Sequence, residues 1–313
     1  MTAIKSPSVL LLLVGGMVLP NGCSSREVSK KENIPNVIFF LANDQRHDAL
    51  GCYGHPIIQS PNLDALAAKG TRFTNNFVTT SICMASRATI MTGMLARTNG
   101  VNYYQTPLDS VFVGYTYPVI MKNAGISTGF IGKIGFQVNG SNHAESWFDY
   151  FKSVSSDPYF QKMEDGTERH ETEIAGDYAI EFLKMQSPEK PFCLSVSFGA
   201  AHAVDNDRRP GFGHFPWPEN VDDHLYEDLQ IPEPGLNDPA IFENMPGFLK
   251  NSLNRVRYFW RWDTPEKYQT NMKAYFRMIT GLDLTIGRVL AELDKLGLAE
   301  NTIIIYTADN GYY

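Results

Sequence analysis

Two stretches near opposite ends of the chain, NVIFFLAND (36–44) and NTIIIYTADN (301–310), constrain the fold more than any other feature. Each is an unbroken apolar run, rich in β-branched or aromatic residues, that ends abruptly in side-chain oxygens. A strand with one wet face alternates apolar and polar residues. An unbroken run is buried on both faces, as a parallel sheet demands. STGFIGK (127–133) and PFCLSVSF (191–198) read as two further strands. Helical patterns separate them: SPNLDALAAKG, with proline at its start and glycine past its end, YPVIMKNAG, ETEIAGDYAIEFLKMQ, and a long helix from Pro265 to Leu296. Strands alternating with helices predict an α/β fold, a largely parallel or mixed central sheet covered by helices on both faces. Residues 205–262 break the pattern. They are rich in Pro, Gly, His and aromatics, and read as a long functional loop.

The N-terminus reads differently. Lys5, a short apolar run from Val9 to Leu19 and then Asn-Gly-Cys predict a secretion signal over residues 1–22, too short for a membrane span. The pattern resembles a bacterial lipoprotein signal with Cys23 as the lipid-anchored residue and residues 23–34 as a polar tether. The resemblance implies a location in the periplasm or on the outer membrane of a Gram-negative bacterium. A net charge of −7 gives nucleic-acid binding little electrostatic support. The four cysteines (Cys23, Cys52, Cys83 and Cys193) match neither a zinc pattern nor a disulfide framework.

In an open parallel sheet, ligands gather at the carboxyl ends of the strands. Asn43 with Asp44, and Asp309 with Asn310, stand at two such ends. Side by side they offer four hard oxygen donors, which suit Ca²⁺, Mg²⁺ less well, and zinc not at all. The segment SICMASRATIMTG adds Cys83, with Arg87 one helical turn on. Its sequence alone leaves three roles open for the thiol: packing, a thiolate nucleophile, or a residue chemically changed before it works.

Cys83-Met84-Ala85-Ser86-Arg87, continued to Thr92-Gly93, resembles the signature of the type I sulfatases. The resemblance extends through PNVIFFLANDQR, SPNLDALAAKGTRFTNNF, GFIGK and TIIIYTADNGYY, most of Pro35 to Tyr313. It implies an alkaline phosphatase-like fold over residues 35–313 and hydrolysis of sulfate monoesters, on carbohydrates. It also implies that a separate maturation enzyme oxidises Cys83 to formylglycine. The aldehyde hydrate then has one hydroxyl to attack sulfur and a second whose deprotonation expels sulfate. With Cys83 at the start of a helix, the family pattern assigns Arg87, one turn on, to hold the hydrate by hydrogen bonds, Lys133 to grip the sulfate, His202 to bind sulfate or protonate the leaving oxygen, and Asn43, Asp44, Asp309 and Asn310 to surround calcium. Departures are visible too. Asn43 replaces the commoner aspartate, so the site carries one negative charge fewer. Gly135 stands where the family has histidine after Gly-Lys-x, and His143 is the nearest substitute in sequence. The chain also ends four residues past Asp309, so a small C-terminal subdomain is expected to be missing and turnover by these residues alone to be low. His47 adjoins the metal segment. Trp217, Arg261 and Trp262 are candidates to wrap a sugar.

Two rivals remain at this level. One is a phosphatase or phosphodiesterase of the alkaline phosphatase superfamily, which uses a Ser or Thr nucleophile and zinc. The other is a non-catalytic carbohydrate-binding lipoprotein.

Overall fold

The computed structural model describes residues 34–102, 106–140, 143–155, 157–205, 214–235 and 238–311. The leader and Cys23 readings lie outside these residues. Seven strands form: β1 (Asn36–Ala42), β2 (Ser127–Gly132), β3 (Tyr150–Lys152), β4 (Phe160–Lys162), β5 (Glu168–His170), β6 (Phe192–Ser197) and β7 (Thr302–Ala308). The helices are α1 (Pro61–Lys69), α2 (Cys83–Thr92), α3 (Ala96–Asn99), α4 (Tyr117–Asn123), α5 (Glu171–Lys184), α6 (Pro239–Glu243), α7 (Gly247–Lys250), α8 (Leu253–Arg261) and α9 (Pro265–Lys295). No described helix is long and apolar enough to cross a membrane.

The main sheet has the order β3-β2-β6-β1-β7, and every pairing in it is parallel. β4 and β5 form a separate antiparallel ladder. Side chains alternate across each strand, so the two sheet faces collect different partners. On one face Ile38, Phe40, Ile131 and Val196 join Phe182 of α5 and Met278, Ile279 and Leu282 of α9. On the other, Phe130 packs with Ala88 and Met91 of α2 and with Trp147. Both faces are thus covered over β2 and β6, as their apolar runs require, but β7 corrects the expectation of burial on both faces, for it lies at the sheet edge with Ile303 and Ile305 exposed.

The sequence reading needs correction between residues 205 and 262. This stretch contains α6, α7 and α8 in addition to loop. Each of α6 and α8 starts at a side-chain cap, Asp238 accepting from Ala240 N–H and Ser252 from Arg255 N–H. α6 and α7 are too short to show a period; α8, Leu253–Arg261, is one-sidedly apolar and was legible in principle.

Candidate active site

The parallel pairing of β1 with β7 runs from Asn36 opposite Thr302 to Ala42 opposite Ala308. The next residue on each strand is therefore Asn43 and Asp309, and these meet. With its amide nitrogen toward Asp309, Asn43 donates to both carboxylate oxygens at 3.2 and 3.0 Å, and its amide oxygen accepts from Lys133 Nζ at 2.9 Å. Turned the other way, the amide oxygen faces the carboxylate directly, the grouping of oxygens that a hard cation requires. Asn43 and Asp309 are both fully buried. Asp44 has a left-handed backbone (φ 55°), tolerable for aspartate, and its N–H donates to Asp309 Oδ1 at 3.1 Å. Tyr275 of α9 clamps this turn. Its hydroxyl donates to Asp44 O at 3.0 Å and accepts from Arg46 N–H at 2.9 Å.

Arg87 arrives from α2. Its Nε donates to Asp309 Oδ2 at 2.8 Å, Nη1 to Lys133 O at 2.7 Å and to Ser197 Oγ, and Nη2 to Phe198 O at 3.3 Å. The guanidinium is 2 % exposed, so it ties the ends of β7, β2 and β6 into one buried unit. Among the described residues no hydrogen bond joins it to Cys83. Cys83 is the first residue of α2 and half-buried. Ile82 before it has no capping side chain, which leaves first-turn N–H groups available to an anion.

His202 completes the set. Its Nδ1 donates to Ala203 O at 2.6 Å, since a carbonyl can only accept, and this leaves Nε2 3.4 Å from Asp44 Oδ2. Burial is the largest influence on Asp44 and raises its pKa; His202 opposes this, and Asp309 adds to it.

The site therefore gathers Asn43, Asp44, Arg87, Lys133, His202 and Asp309, with Cys83 at the head of the helix that supplies Arg87. Asn310 follows Asp309 and is half-buried. The side chains and turn of Asn43, Asp44 and Asp309 meet here, and their oxygens are of the kind that suits a hard divalent cation. Among the described residues no group of three or more His, Cys, Asp or Glu gathers in a metal-binding arrangement.

Other assignments are corrected. His143 is exposed at the start of the turn 144–147, its carbonyl accepting from Ser146, so nothing places its ring at Gly135. His47 is exposed. Arg261 is 1 % exposed and paired with Asp205, so it is not available to a sugar, and half-buried Trp262 packs on Phe215 and Tyr268. Trp217 hydrogen-bonds Asp223 at 2.8 Å and lies under Arg277.

Glu171 and Ser197 were not anticipated. Glu171, fully buried at the start of α5, accepts from Gly199 N–H at 3.2 Å, Ala200 N–H at 2.9 Å and Thr172 Oγ1 at 3.0 Å. Its Oε2 has no partner. Burial raises its pKa and the backbone donors oppose that rise. Those donors begin the segment that brackets Asn43, for Asn43 N–H donates to Ala200 O at 2.8 Å and Ala201 N–H to Asn43 O at 2.6 Å. An acidic residue in a first helical turn looks like ordinary dipole compensation, which hides such a role. Ser197 did leave a trace, because serines alternate in the apolar run FCLSVSF.

A profile of the sulfatase family matches residues 35–313. The N-acetylglucosamine-6-O-sulfatase of Bacteroides thetaiotaomicron is 30 % identical over 368 residues, covering 99 % of this chain and 63 % of that protein. The arylsulfatase of Clostridium perfringens is 27 % identical, covering 88 % of this chain and 63 % of its own length. A solved structure of a protein in complex with its substrate D-glucosamine-2-N,6-O-disulfate superposes with a TM-score of 0.66 at 25 % identity, over 90 % of this chain and 66 % of that one. The phosphonate monoester hydrolase of Agrobacterium radiobacter shares the fold, with a TM-score of 0.69 at 19 % identity, over 89 % of this chain and 64 % of that one. The chain thus spans about two thirds of the length of these relatives. With the signature helix, the paired strand ends and the family profile in agreement, the chain belongs to the sulfatase family.

Proposed function

We propose that this chain carries the catalytic centre of a sulfuric ester hydrolase acting on sulfated carbohydrates. The reading rests on one observation above others: Arg87, one turn after Cys83, lies in a buried ion pair with Asp309 at the end of β7. That pair carries the signature helix to the strand ends where Lys133, Asn43, Asp44 and His202 converge. A formylglycine derived from Cys83 by a maturation enzyme would supply an oxygen nucleophile. Asn43, Asp44, Asp309 and Asn310 would hold Ca²⁺, which would supply Lewis acidity toward a sulfate oxygen.

The chain's own residues do the rest. Lys133 places a cation for sulfate to meet, and the uncapped first turn of α2 adds N–H donors. Arg87 fixes α2 against the strand ends and keeps positive charge beneath the anion. His202, its Nδ1 proton held by Ala203 O, presents Nε2 for proton transfer to a leaving oxygen. The leader, the Cys23 anchor and a periplasmic or outer-membrane location belong to this proposal, because polymeric sulfated glycans are met outside the inner membrane.

Peptide mass analysis of the Cys83 segment, after production with a formylglycine-generating enzyme, tests the reading. A peptide lighter than the cysteine form and reactive toward hydrazide is expected, together with chelator-sensitive sulfate release from sulfated monosaccharides by the full protein. A persistently unmodified thiol in a protein that still releases sulfate would remove the formylglycine reading.

A further inference from the structure

The antiparallel ladder of β4 and β5 pairs Phe160 with His170 at its open end. The residues just beyond that pair are Tyr159 and Glu171, and the Glu171 N–H donates to Tyr159 O at 2.8 Å. Both are buried, Tyr159 at 3 % exposure and Glu171 at 0 %. Both side chains end on one short segment, Gly199 to His202. The Tyr159 hydroxyl lies 2.8 Å from Gly199 O and 2.7 Å from His202 O, and shares its single proton between them. Glu171 Oε1 takes the N–H groups of Gly199 and Ala200.

The strand end of β1 holds the other side of this segment, where Asn43 N–H donates to Ala200 O and Ala201 N–H to Asn43 O. Gly199, Ala200 and Ala201 have no polar side chain, so backbone bonds set the course of the chain here. His202 is the segment's one side chain with chemistry. Its carbonyl is bound by Tyr159, and its ring Nδ1 donates to the next carbonyl, Ala203 O, at 2.6 Å. The tilt of the peptide between residues 202 and 203 therefore decides where Ala203 O stands. That in turn decides which ring nitrogen keeps the held proton and where Nε2, 3.4 Å from Asp44 Oδ2, points. The Tyr159 ring packs by stacking on His170, with centroids 5.2 Å apart. The hydroxyl is not needed for that stacking, and it is turned to the histidine segment.

We infer that Tyr159 and Glu171 are positioning residues for proton transfer by His202, the tyrosine hydroxyl locking the peptide after the histidine and the glutamate holding the start of its segment. The inference rests on the sulfatase reading and deepens it. As an oxygen nucleophile bonds to sulfur, the electron pair of the breaking S–O bond goes to the sugar oxygen. The proton on His202 Nε2 joins it there, while Nδ1 keeps its own. A sugar alcohol leaves slowly without that proton, and a nitrophenolate needs none.

The test compares the full, matured protein with its Tyr159→Phe variant, which lacks the hydroxyl and keeps the ring, on N-acetylglucosamine 6-sulfate and on para-nitrophenyl sulfate. On the sugar kcat should fall about tenfold to hundredfold, part of what a placed general acid contributes. KM for either ester and kcat for the nitrophenyl ester should not change. NMR of the protein labelled in its histidine rings reads His202 directly. The parent should hold the Nδ1–H tautomer, and Tyr159→Phe should show a mixture of both tautomers. If Tyr159→Phe does not fold, Glu171→Gln serves in its place. It keeps a neutral acceptor for the two N–H groups and should show the same selective loss at about twofold to threefold, since a charged acceptor bonds more strongly than a neutral one. Equal losses on both esters, or no loss on the sugar, overturn the inference. The two readings fail separately. A His202 tautomer that responds to Tyr159→Phe in a protein that cleaves neither ester supports the clamp and removes the sulfatase reading. Cleavage of both esters with rates and tautomer untouched by the substitution does the reverse.

Discussion

Only one orientation of the Asn43 amide satisfies both its ends without a cation, and a cation would need the other. With nitrogen toward Asp309 it links that carboxylate to Lys133; with oxygen toward Asp309 it can ligate a cation. Cation binding therefore costs the Lys133 hydrogen bond, and the neutral amide adds less attraction than a carboxylate would. Asn43→Asp should tighten calcium binding by about tenfold, a modest share of the Coulomb energy of one added charge at close range. The same substitution sets two carboxylates face to face without metal, so the metal-free melting temperature should fall while the calcium-induced rise grows. Calorimetry and thermal melts in calcium and in chelator check both. Glu171 is the second decisive residue. Glu171→Leu leaves two buried backbone N–H groups unpaired, at about 1–3 kcal/mol each, whereas Glu171→Gln keeps an acceptor for them. Urea unfolding should show a large loss for leucine and a small one for glutamine. Calcium affinity should follow the same order, because the segment these groups anchor holds Asn43.

At the scale of elements, β2 shows where propensity and packing disagree. Strands favour β-branched residues, yet Gly129 sits mid-strand, opposite Leu194 in the register with β6. A Cβ there would lie 2.7 and 2.9 Å from two ring carbons of Phe182 and 3.0 Å from Leu194 Cδ1. Glycine lets α5 settle directly on the sheet. Gly129→Val should destabilise by about 1–3 kcal/mol, the cost of overpacking a filled core, measured as a lower urea midpoint. The same conflict explains what was legible beforehand. β1 and β6 announce themselves because burial on both faces needs continuous apolar sequence; β7 has the same kind of run although Ile303 and Ile305 are exposed. α2 was legible from its motif and from Gly93, which closes it with φ 67°. The three-residue strands β3, β4 and β5 are too short to carry a period. That the two strand ends carry polar side chains was readable, whereas Glu171 and the clamp by Tyr275 depend on which distant backbone groups the fold brings to them.

Acid sensitivity belongs to the whole molecule. His170 is fully buried between α5 and the segment at Pro216. Its Nδ1 accepts from Thr172 N–H at 3.2 Å, its Nε2 donates to Pro216 O at 3.1 Å, and its ring stacks on Tyr159. Burial lowers its pKa to about 4. The unfolded chain takes up this proton near pH 6.5 and the folded one only near 4. Stability is thus full above about pH 6.5 and falls as the pH drops from there toward 4. The loss across that window is about 3 kcal/mol, because each pH unit between the two protonation midpoints is worth about 1.4 kcal/mol. Urea titrations over the same range should show the decline, and His170→Asn should flatten it at the cost of lower stability near neutrality.

The ion pair between Arg87 and Asp309 joins residues 222 positions apart, with a temporal consequence. At roughly 5–20 residues per second of synthesis, some 10–45 seconds pass between the appearance of the arginine and that of its acid. Throughout that interval the nascent polypeptide already displays its thiol, while the strand end that its helix will be tied to is still unmade. Any catalyst that must rework residue 83 has its opening then, before the final edge strand shuts the door.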